Sequence, residues 1–136
     1  MEFKTMEPKA GVEAYWQAMQ SNDFAKAARW LCEDYVCDWP QSGERIAGRC
    51  NFIEIHRRYP AAGPWDFEVV RLLEQGREVV TEVLITDGLV QARAITFHSV
   101  CGDAILHQTE FWPDLHEAPH WRRPWVTPIP RESQLA

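Results

Sequence analysis

Two carboxylates lie within apolar or aromatic stretches of the sequence, where a charged side chain needs a partner or a functional reason. Asp38 lies in the string CDWP and Glu110 in the string TEFWP. A carboxylate among apolar groups ionises less readily, which raises its pKa toward the range in which it can remove a proton from carbon. Both residues are therefore candidate catalytic bases. The alternative for each is that it faces water on the other side of its strand or pairs with an arginine.

Histidine supplies a third candidate for proton transfer, because an imidazole titrates near neutral pH without help. His98 falls in a long β-type stretch, where a lone histidine is also typical of a surface or hydrogen-bonded core residue. His116 and His120 have the spacing of metal ligands on a helix, but Pro119 between them disfavours a helix and no third ligand is evident. The sequence predicts neither a metal site nor a cofactor, since it also lacks a Gly-rich phosphate loop and a nucleophile elbow.

Charge and composition argue against several classes of protein. The net charge of −6 disfavours nucleic-acid binding, which depends on clustered Lys and Arg. No run of about 18 apolar residues predicts a membrane helix, and the N-terminal MEFKTMEPKAG has no apolar segment of signal-peptide type. The four cysteines have neither the spacing of a zinc site nor the density of a secreted disulfide framework. We therefore expect reduced thiols in a cytoplasmic protein without nucleic-acid or membrane partners.

The elements that must position these residues follow from the hydrophobic periodicity. The 136 residues are expected to form one domain, with residues 1–10 flexible and 127–136 as a tail. Apolar residues at helical spacing predict three helices, and β-type stretches predict one short strand and four long ones. The predicted helices cover 12–19, 24–31 and 51–59, and the predicted strands cover 35–37, 66–74, 78–86, 89–100 and 104–112. Helices followed by a meander predict an α+β fold, with helices packed on one face of a curved sheet.

The order of these elements and four local strings resemble the SnoaL-like polyketide cyclase branch of the nuclear-transport-factor-two-like superfamily, whose members have a cone fold. The strings are GVEAYWQAMQSNDFAKAARWLCED, CDWPQSGERIAGRCNFIEI, VVTEVLITDGLVQARAITFH and TEFWPDLHEAPHWRRPWV, from nearly the whole chain. The resemblance implies a strongly curved, mostly antiparallel sheet around an internal pocket, and a homodimer through the outer face of that sheet. It does not identify one activity, because the same cone serves isomerases, cyclases, dehydratases, hydrolases and binding domains.

Enzymes of this superfamily, such as ketosteroid isomerase and the polyketide cyclases, use a pocket carboxylate to remove a proton next to a carbonyl. In the resembling enzymes, the position of that base corresponds to Asp38 here, or to Trp39 if the prolines are aligned. One residue of register therefore decides which of these two side chains faces the pocket. If Trp39 faces inward, it forms an aromatic wall and Glu110 becomes the better base. The tyrosine and second acid of the isomerase correspond to Trp16 and Thr96, which disfavours a steroid isomerase.

Aromatic residues are more frequent than a core of this size needs, with seven Trp, six Phe and three Tyr, so some are expected to line a cavity. The predicted ligand-binding residues are Trp16, Trp39, Tyr59 and Trp112, and in the resembling fold the last three converge near the mouth of the cone. Such a mouth suits a small hydrophobic molecule.

Two kinds of function remain open from the sequence. The chain is either a cofactor-independent isomerase, cyclase or lyase that acts on a carbonyl compound, or a non-catalytic ligand-binding or dimeric accessory domain. A carboxylate that points into an open cavity of roughly 300 Å³ or more would favour the enzyme.

Overall fold

A computed structural model of the chain describes residues 7–130. Within that range it contains three α-helices, six β-strands and a short 3₁₀ helix. In chain order they are α1 (Pro8–Gln20), α2 (Phe24–Ala28), β1 (Leu31–Trp39), β2 (Glu44–Ala47), α3 (Arg49–Arg58), β3 (Asp66–Gln75), β4 (Glu78–Thr86), β5 (Gln91–Cys101), β6 (Ala104–Phe111) and the 3₁₀ helix (His120–Trp125). Residues 1–6 of the segment expected to be flexible, and 131–136 of the expected tail, lie outside the described residues.

The first two helices form a hairpin, as the spacing of apolar residues predicts. Pro8 is the first residue of α1, a position where its missing N–H costs no helical hydrogen bond. The apolar stripe of this helix is buried and consists of Val12, Tyr15, Trp16 and Met19. Asp23 caps α2 by accepting a hydrogen bond from the backbone N–H of Lys26 at 3.1 Å. α2 is shorter than predicted, because Leu31 begins β1 instead of continuing the helical stripe.

The six strands form one sheet in the order β2-β1-β6-β5-β4-β3. β3 to β6 are successive antiparallel neighbours, which confirms the predicted meander. β1 pairs in parallel with β6, and β2 pairs antiparallel with β1. The sheet is mostly antiparallel, curled and unclosed, and together with the helices it confirms the predicted α+β cone.

The region around β1 and β2 differs most from the predicted elements. β1 has nine residues, whereas the sequence predicted a strand over 35–37 only. The following segment was expected to be a turn, but Glu44–Ala47 forms the edge strand β2 and buries Ile46. Gly43, with φ of 76°, permits the tight reversal that returns the chain alongside β1.

The core lies between the helices and one face of the sheet, which we call the inner face. α1 packs on β3 to β6, and α3 packs on β1 and β2. Alternate residues of β4 and β5 are buried on the inner face, namely Val79, Thr81, Val83, Ile85, Ala94, Thr96, His98 and Val100. The residues between them form the opposite, outer face, on which no helix packs within the described chain.

Candidate active site

A two-part cavity opens between the helices and the inner face. The inner chamber has a volume of about 140 Å³ and a strongly apolar lining. Its lining residues are Tyr15, Trp16, Met19, Phe24, Trp39, His56, Tyr59, Trp65, Phe67, Ile85, Val90, Ala92, Glu110 and Trp112. The outer chamber has a volume of about 300 Å³, is more open to solvent, and is lined by Trp39, Gln41, Ser42, Glu44, Tyr59, Glu110, Trp112 and Asp114. Four residues line both chambers and mark their junction, namely Trp39, Tyr59, Glu110 and Trp112.

Glu110 is the one carboxylate among the residues that line the inner chamber. It lies on β6 opposite Thr96 of β5, with its side chain on the inner face and only 6% of its surface exposed. The indole N–H of Trp39 donates to Oε1 at 3.0 Å, and the hydroxyl of Thr96 donates to Oε2 at 2.7 Å. The carboxylate is therefore held in a fixed orientation at the junction of the two chambers.

Burial determines the protonation behaviour of Glu110. Loss of solvent disfavours the charged form and raises the pKa of the carboxyl above its ordinary value. The hydrogen bonds from Thr96 and Trp39, together with the nearby indole N–H of Trp112, stabilise the charged form and act in the opposite direction. A carboxyl with a raised pKa has a greater affinity for a proton, which is the property a general base needs.

The register of β1 places Trp39, and not Asp38, in the cavity. Asp38 lies on the outer face, where Arg45 donates to both of its carboxylate oxygens at 2.6 and 3.0 Å. The Nε2 atom of His107 lies 3.1 Å from the same carboxylate. These contacts, with that of Arg45 the largest, lower the pKa of Asp38 to about 2. Asp38 lines neither chamber and has none of the features of a pocket base.

His98 also lies outside both chambers, although it is on the inner face of β5. It is buried beneath α1, with its Nε2 atom 2.8 Å from Thr81 Oγ1 and its Nδ1 atom 2.8 Å from Gln108 Nε2. Burial lowers the pKa of His98 to about 3, so the ring is neutral at physiological pH. The structure therefore places His98 in the core as a hydrogen-bonded residue without access to a ligand in either chamber.

The four aromatic residues predicted to bind a ligand all line the inner chamber. Trp16 is buried and donates from its indole N–H to Thr81 Oγ1 at 3.2 Å. Tyr59 is 54% exposed, which puts it at the mouth. The backbone N–H of Trp112 donates to the side-chain carbonyl of Gln41 and ties the end of β6 to the turn after β1.

The structure adds His56 to the cavity, a residue that was not among the predicted site residues. Its Nδ1 atom lies 2.8 Å from the carbonyl of Phe52, one helical turn earlier on α3. Because a carbonyl only accepts, Nδ1 carries the proton and Nε2 is left as an acceptor in the neutral ring. Burial lowers the pKa of His56, which favours that neutral form. The spacing of Phe52, His56 and Tyr59 on one helical face was the signal that could have identified it.

The described residues provide acid–base chemistry but no evident metal centre. Within residues 7–130, no group of three or more His, Cys, Asp or Glu side chains is arranged to hold a metal ion. His116 and His120 lie before and at the start of the 3₁₀ helix and line neither chamber. The described part of the chain also contains no helix long and apolar enough to cross a membrane.

The SnoaL-like domain family matches residues 12–107 of this chain. No curated protein matches the sequence significantly. Among solved structures, a candidate ketosteroid isomerase from Kribbella flavida is 30% identical and has a TM-score of 0.84, over 94% of this chain and 93% of its own. An NTF2-like protein of unknown function from Burkholderia xenovorans is 33% identical and has a TM-score of 0.74, over 91% of this chain and 96% of its own.

More distant structures share the fold alone. A candidate SnoaL-like polyketide cyclase from Shewanella putrefaciens is 13% identical and has a TM-score of 0.67, over 80% of this chain and 91% of its own. This similarity supports the cone architecture, and the residues of the cavity must carry any argument about chemistry.

Proposed function

This chain belongs to the SnoaL-like domain family, and from that premise we propose that it binds a small apolar carbonyl compound in the inner chamber, where Glu110 transfers a proton. The observation that carries the proposal is the position of Glu110. It is a buried carboxylate with a raised pKa, oriented by two hydrogen bonds, at the junction of an apolar chamber and a solvent-connected one. The similarity to a candidate ketosteroid isomerase over most of the chain supports the same class of chemistry.

The proposed reaction needs no group beyond the residues of the cavity. Ionised Glu110 takes a proton from the carbon next to the carbonyl, and the electron pair of the broken C–H bond moves into the enolate. Glu110 then returns the proton to the same carbon or to another one. Beside the hydroxyl of Thr96, the indole N–H groups of Trp39 and Trp112 are donors near this carboxylate, and both remain neutral throughout. Return of the proton to another carbon gives isomerisation. Attack of the enolate carbon on a second carbonyl of the substrate, whose oxygen then takes the proton from Glu110, gives cyclisation, and departure of a β-hydroxyl that takes the same proton as water gives elimination.

The outer chamber supplies the space that the inner chamber lacks. The inner volume of about 140 Å³ is smaller than a typical ligand site of roughly 300 Å³ or more, and the outer volume of about 300 Å³ reaches that size. A substrate with its reacting carbon at Glu110 would extend its apolar part inward and its remaining atoms into the outer chamber. Because Glu110 lines both chambers, a substrate can occupy both of them while its reacting carbon stays next to this carboxylate.

A second candidate function is ligand binding without catalysis. Both oxygens of Glu110 already accept a hydrogen bond, from Trp39 and from Thr96. A carboxylate held in this way serves equally as a fixed polar contact for a bound molecule. This alternative shares the pocket and the ligand class with the first proposal and differs only in the role of Glu110.

Exchange of carbon-bound protons tests the catalytic proposal without knowledge of the natural substrate. A panel of small apolar ketones is incubated with the protein in deuterated water, and exchange of the protons next to the carbonyl is followed by NMR. We expect exchange above background for at least one ketone, and loss of about 100-fold or more of that rate in Glu110→Gln, because the amide cannot accept the proton. Glu33→Gln is the matched control, since Glu33 is exposed on β1 and lines neither chamber.

The outcomes of this experiment separate the candidate functions. Binding of a ketone without exchange, with equal affinity in Glu110→Gln, would establish the non-catalytic alternative. Loss of exchange in Asp38→Asn but not in Glu110→Gln would return the base to the outer face and contradict the site described above. Native mass spectrometry of the purified protein provides an independent search for a retained small molecule.

We also propose that two copies associate through the outer face of the sheet. This face is apolar around Phe97 of the central strand β5, which is 49% exposed, and again at Leu73 of the edge strand β3, which is 63% exposed. The ring of Phe111 lies 6.2 Å from that of Phe97. An exposed apolar sheet face with ion pairs around it is typical of a surface that a second subunit covers.

A further inference from the structure

The cavity contains negative charge and no positive side chain among the residues that line it. Glu110 lines both chambers, and Glu44 and Asp114 line the outer one. No Lys or Arg is among the lining residues of either chamber in the described part of the chain. Arg45 is adjacent to Glu44 in sequence, but it is turned to the outer face and bonded to Asp38. An anionic ligand would therefore enter without a counter-charge, whereas a cationic one would find three carboxylates.

The walls of the inner chamber have the composition that favours a positive charge next to an apolar body. Four tryptophans line it, namely Trp16, Trp39, Trp65 and Trp112. The face of an aromatic ring carries partial negative charge, and tryptophan attracts a cation most strongly of the aromatic side chains. Tryptophan walls accept a flat apolar ligand as well as a cation, and it is their position around one carboxylate that favours a cation.

Two polar groups of the chamber, on Glu110 and His56, can accept a hydrogen bond from a ligand. The carboxylate of Glu110 accepts from Trp39 and Thr96 and still has unused lone pairs. The Nε2 atom of His56 is an acceptor, because Nδ1 donates to the carbonyl of Phe52. No described residue donates a hydrogen bond to Nε2 of His56. A protonated amine can donate to these acceptors, a quaternary ammonium is attracted by the charge of Glu110 without a hydrogen bond, and a carboxylate or phosphate is repelled.

We propose that the substrate of this cavity is a small amine-bearing or quaternary ammonium carbonyl compound, with its positive nitrogen held between the tryptophan walls and Glu110. The inference rests on the proposed function and specifies its substrate class. The volume of about 140 Å³ suits a trimethylammonium group with a short attached chain. A positive nitrogen next to the reacting carbon also makes that carbon a stronger acid, because it stabilises the negative charge left when the proton is removed.

Three probes of nearly equal shape test the sign of the preferred charge. The cation is the trimethylammonium derivative of acetone, and the neutral probe is its carbon isostere, neopentyl methyl ketone. The anion is the carboxylate 3,3-dimethylbutanoate. Binding is measured by tryptophan fluorescence and by ligand-observed NMR. We expect the cation to bind about tenfold or more tightly than the neutral ketone, which lies between the contributions of an exposed and a desolvated cation–π contact. The anion is expected to show no binding at the same concentrations.

Two variants assign the preference to particular residues. Glu110→Gln should reduce the cation-to-ketone ratio of affinities by about fivefold or more, because it removes the charge and keeps the shape. Trp65→Leu removes an aromatic wall and leaves Glu110 unchanged, so it should weaken binding of the cation more than binding of the ketone. Glu33→Gln, on the exposed part of β1, should keep the wild-type ratio.

The result that overturns this inference is distinct from the one that overturns the proposed function. If the neutral ketone binds and exchanges its protons but the cation binds no more tightly, the inference about charge is wrong and the proposed function stands. If none of the three probes binds and no ketone in the panel undergoes exchange, both are wrong. An unchanged ratio in both Glu110→Gln and Trp65→Leu would show that the preference arises elsewhere and would also reject the inference.

Discussion

His98 is the central residue of a hydrogen-bonded chain through the core. Tyr35 donates to the side-chain carbonyl of Gln108, so the amide nitrogen of Gln108 faces Nδ1 of His98. Nδ1 therefore accepts, and the proton of the neutral ring is on Nε2, which donates to Thr81. Thr81 also accepts from the indole of Trp16, a wall of the inner chamber. The orientation of a pocket residue thus depends on a histidine that no ligand touches.

The neutral state of His98 predicts a loss of stability in acid. The groups next to it in the described chain, including the rings of Tyr15 and Trp16, are uncharged. Its pKa is about 3 when folded against an ordinary value of 6.5, so the unfolded chain binds more protons between those pH values. Stability should therefore fall as the pH decreases from 6.5, with a contribution approaching about 1.4 kcal/mol per pH unit.

Urea unfolding at several pH values measures this contribution. His98→Gln should be less stable than the wild type at neutral pH by about 1–3 kcal/mol, because part of the network is lost, and its stability should depend less on pH. His116→Gln, which changes an exposed histidine between β6 and the 3₁₀ helix, is the matched control. Equal pH dependence in wild type and His98→Gln would contradict the assignment of the acid sensitivity to His98.

The sequence identified the residues of the site better than their orientations. Glu110 was selected because it lies in an aromatic string, and the four aromatic residues because of the excess of aromatics and their positions in the resembling fold. The structure brings all five to one cavity. The choice between Asp38 and Trp39 depended on the direction of alternate side chains along β1, and adjacent residues of a strand face opposite sides. Only the pairing of β1 with β2 and β6 determines that direction, and pairing is not a local property of the sequence.

At the scale of the elements, α1 lies against the loop that joins β5 and β6 at one close point. Gly11 is buried there, and a Cβ atom at this position would lie 2.8 Å from the backbone carbonyl oxygen of Asp103. A backbone atom cannot move aside as a flexible side chain does, so the helix itself would have to shift. Gly11 thus permits the close packing of α1 on the sheet.

Gly11→Ala should therefore destabilise the protein, although alanine is the better helix former. The intrinsic preference favours alanine by about 1 kcal/mol, whereas overpacking a closed contact costs about 1–3 kcal/mol. We expect a net loss of stability, measured as a lower urea midpoint with an unchanged denaturant slope. Glu13→Ala, at an exposed position of the same helix, is the control and should be near neutral. A stabilised Gly11→Ala would show that α1 is not confined at this point.

Elements with strong local signals were predicted well, and those that depend on distant partners were not. The meander from β3 to β6 has alternating apolar residues and a glycine in each hairpin, and the structure confirms it. β2 has a single buried residue, Ile46, and too short a pattern to be recognised. β1 was predicted too short because its first residues, Leu31 to Asp34, were assigned partly to the preceding helix and partly to no element.

At the scale of the whole molecule, the outer face of the sheet is apolar at its centre and charged around it. Glu82 pairs with Arg71 and Arg93 at 3.4 Å each on this face. The cluster of Asp38, Arg45 and His107 lies on the same face at the other side of Phe97. Each cluster combines both signs of charge, which suits a self-complementary interface between two identical copies.

A lysine at the centre of this face should separate the proposed dimer. In a two-fold interface the same residue approaches its own copy, so Phe97→Lys places like charges near each other and removes an apolar contact. We expect a dimer mass for the wild type and a monomer mass for Phe97→Lys in sedimentation velocity. Leu89→Lys is the matched control, since Leu89 is 79% exposed and lies in a loop before β5. A monomeric wild type at high concentration would disprove the proposed dimer.

The parallel pairing of β1 with β6 has a consequence for biosynthesis. Trp39 and Glu110 are 71 positions apart, and β6 is the last strand of the described chain to leave the ribosome. Until β6 is made, β1 and β5 have unpaired edges and both chambers lack Glu110. A nascent chain that ends before residue 104 therefore contains every tryptophan of the inner chamber except Trp112 but lacks Glu110. Completion of the sheet and assembly of the site are one event, and pairing over this distance is expected to be a slow step in folding.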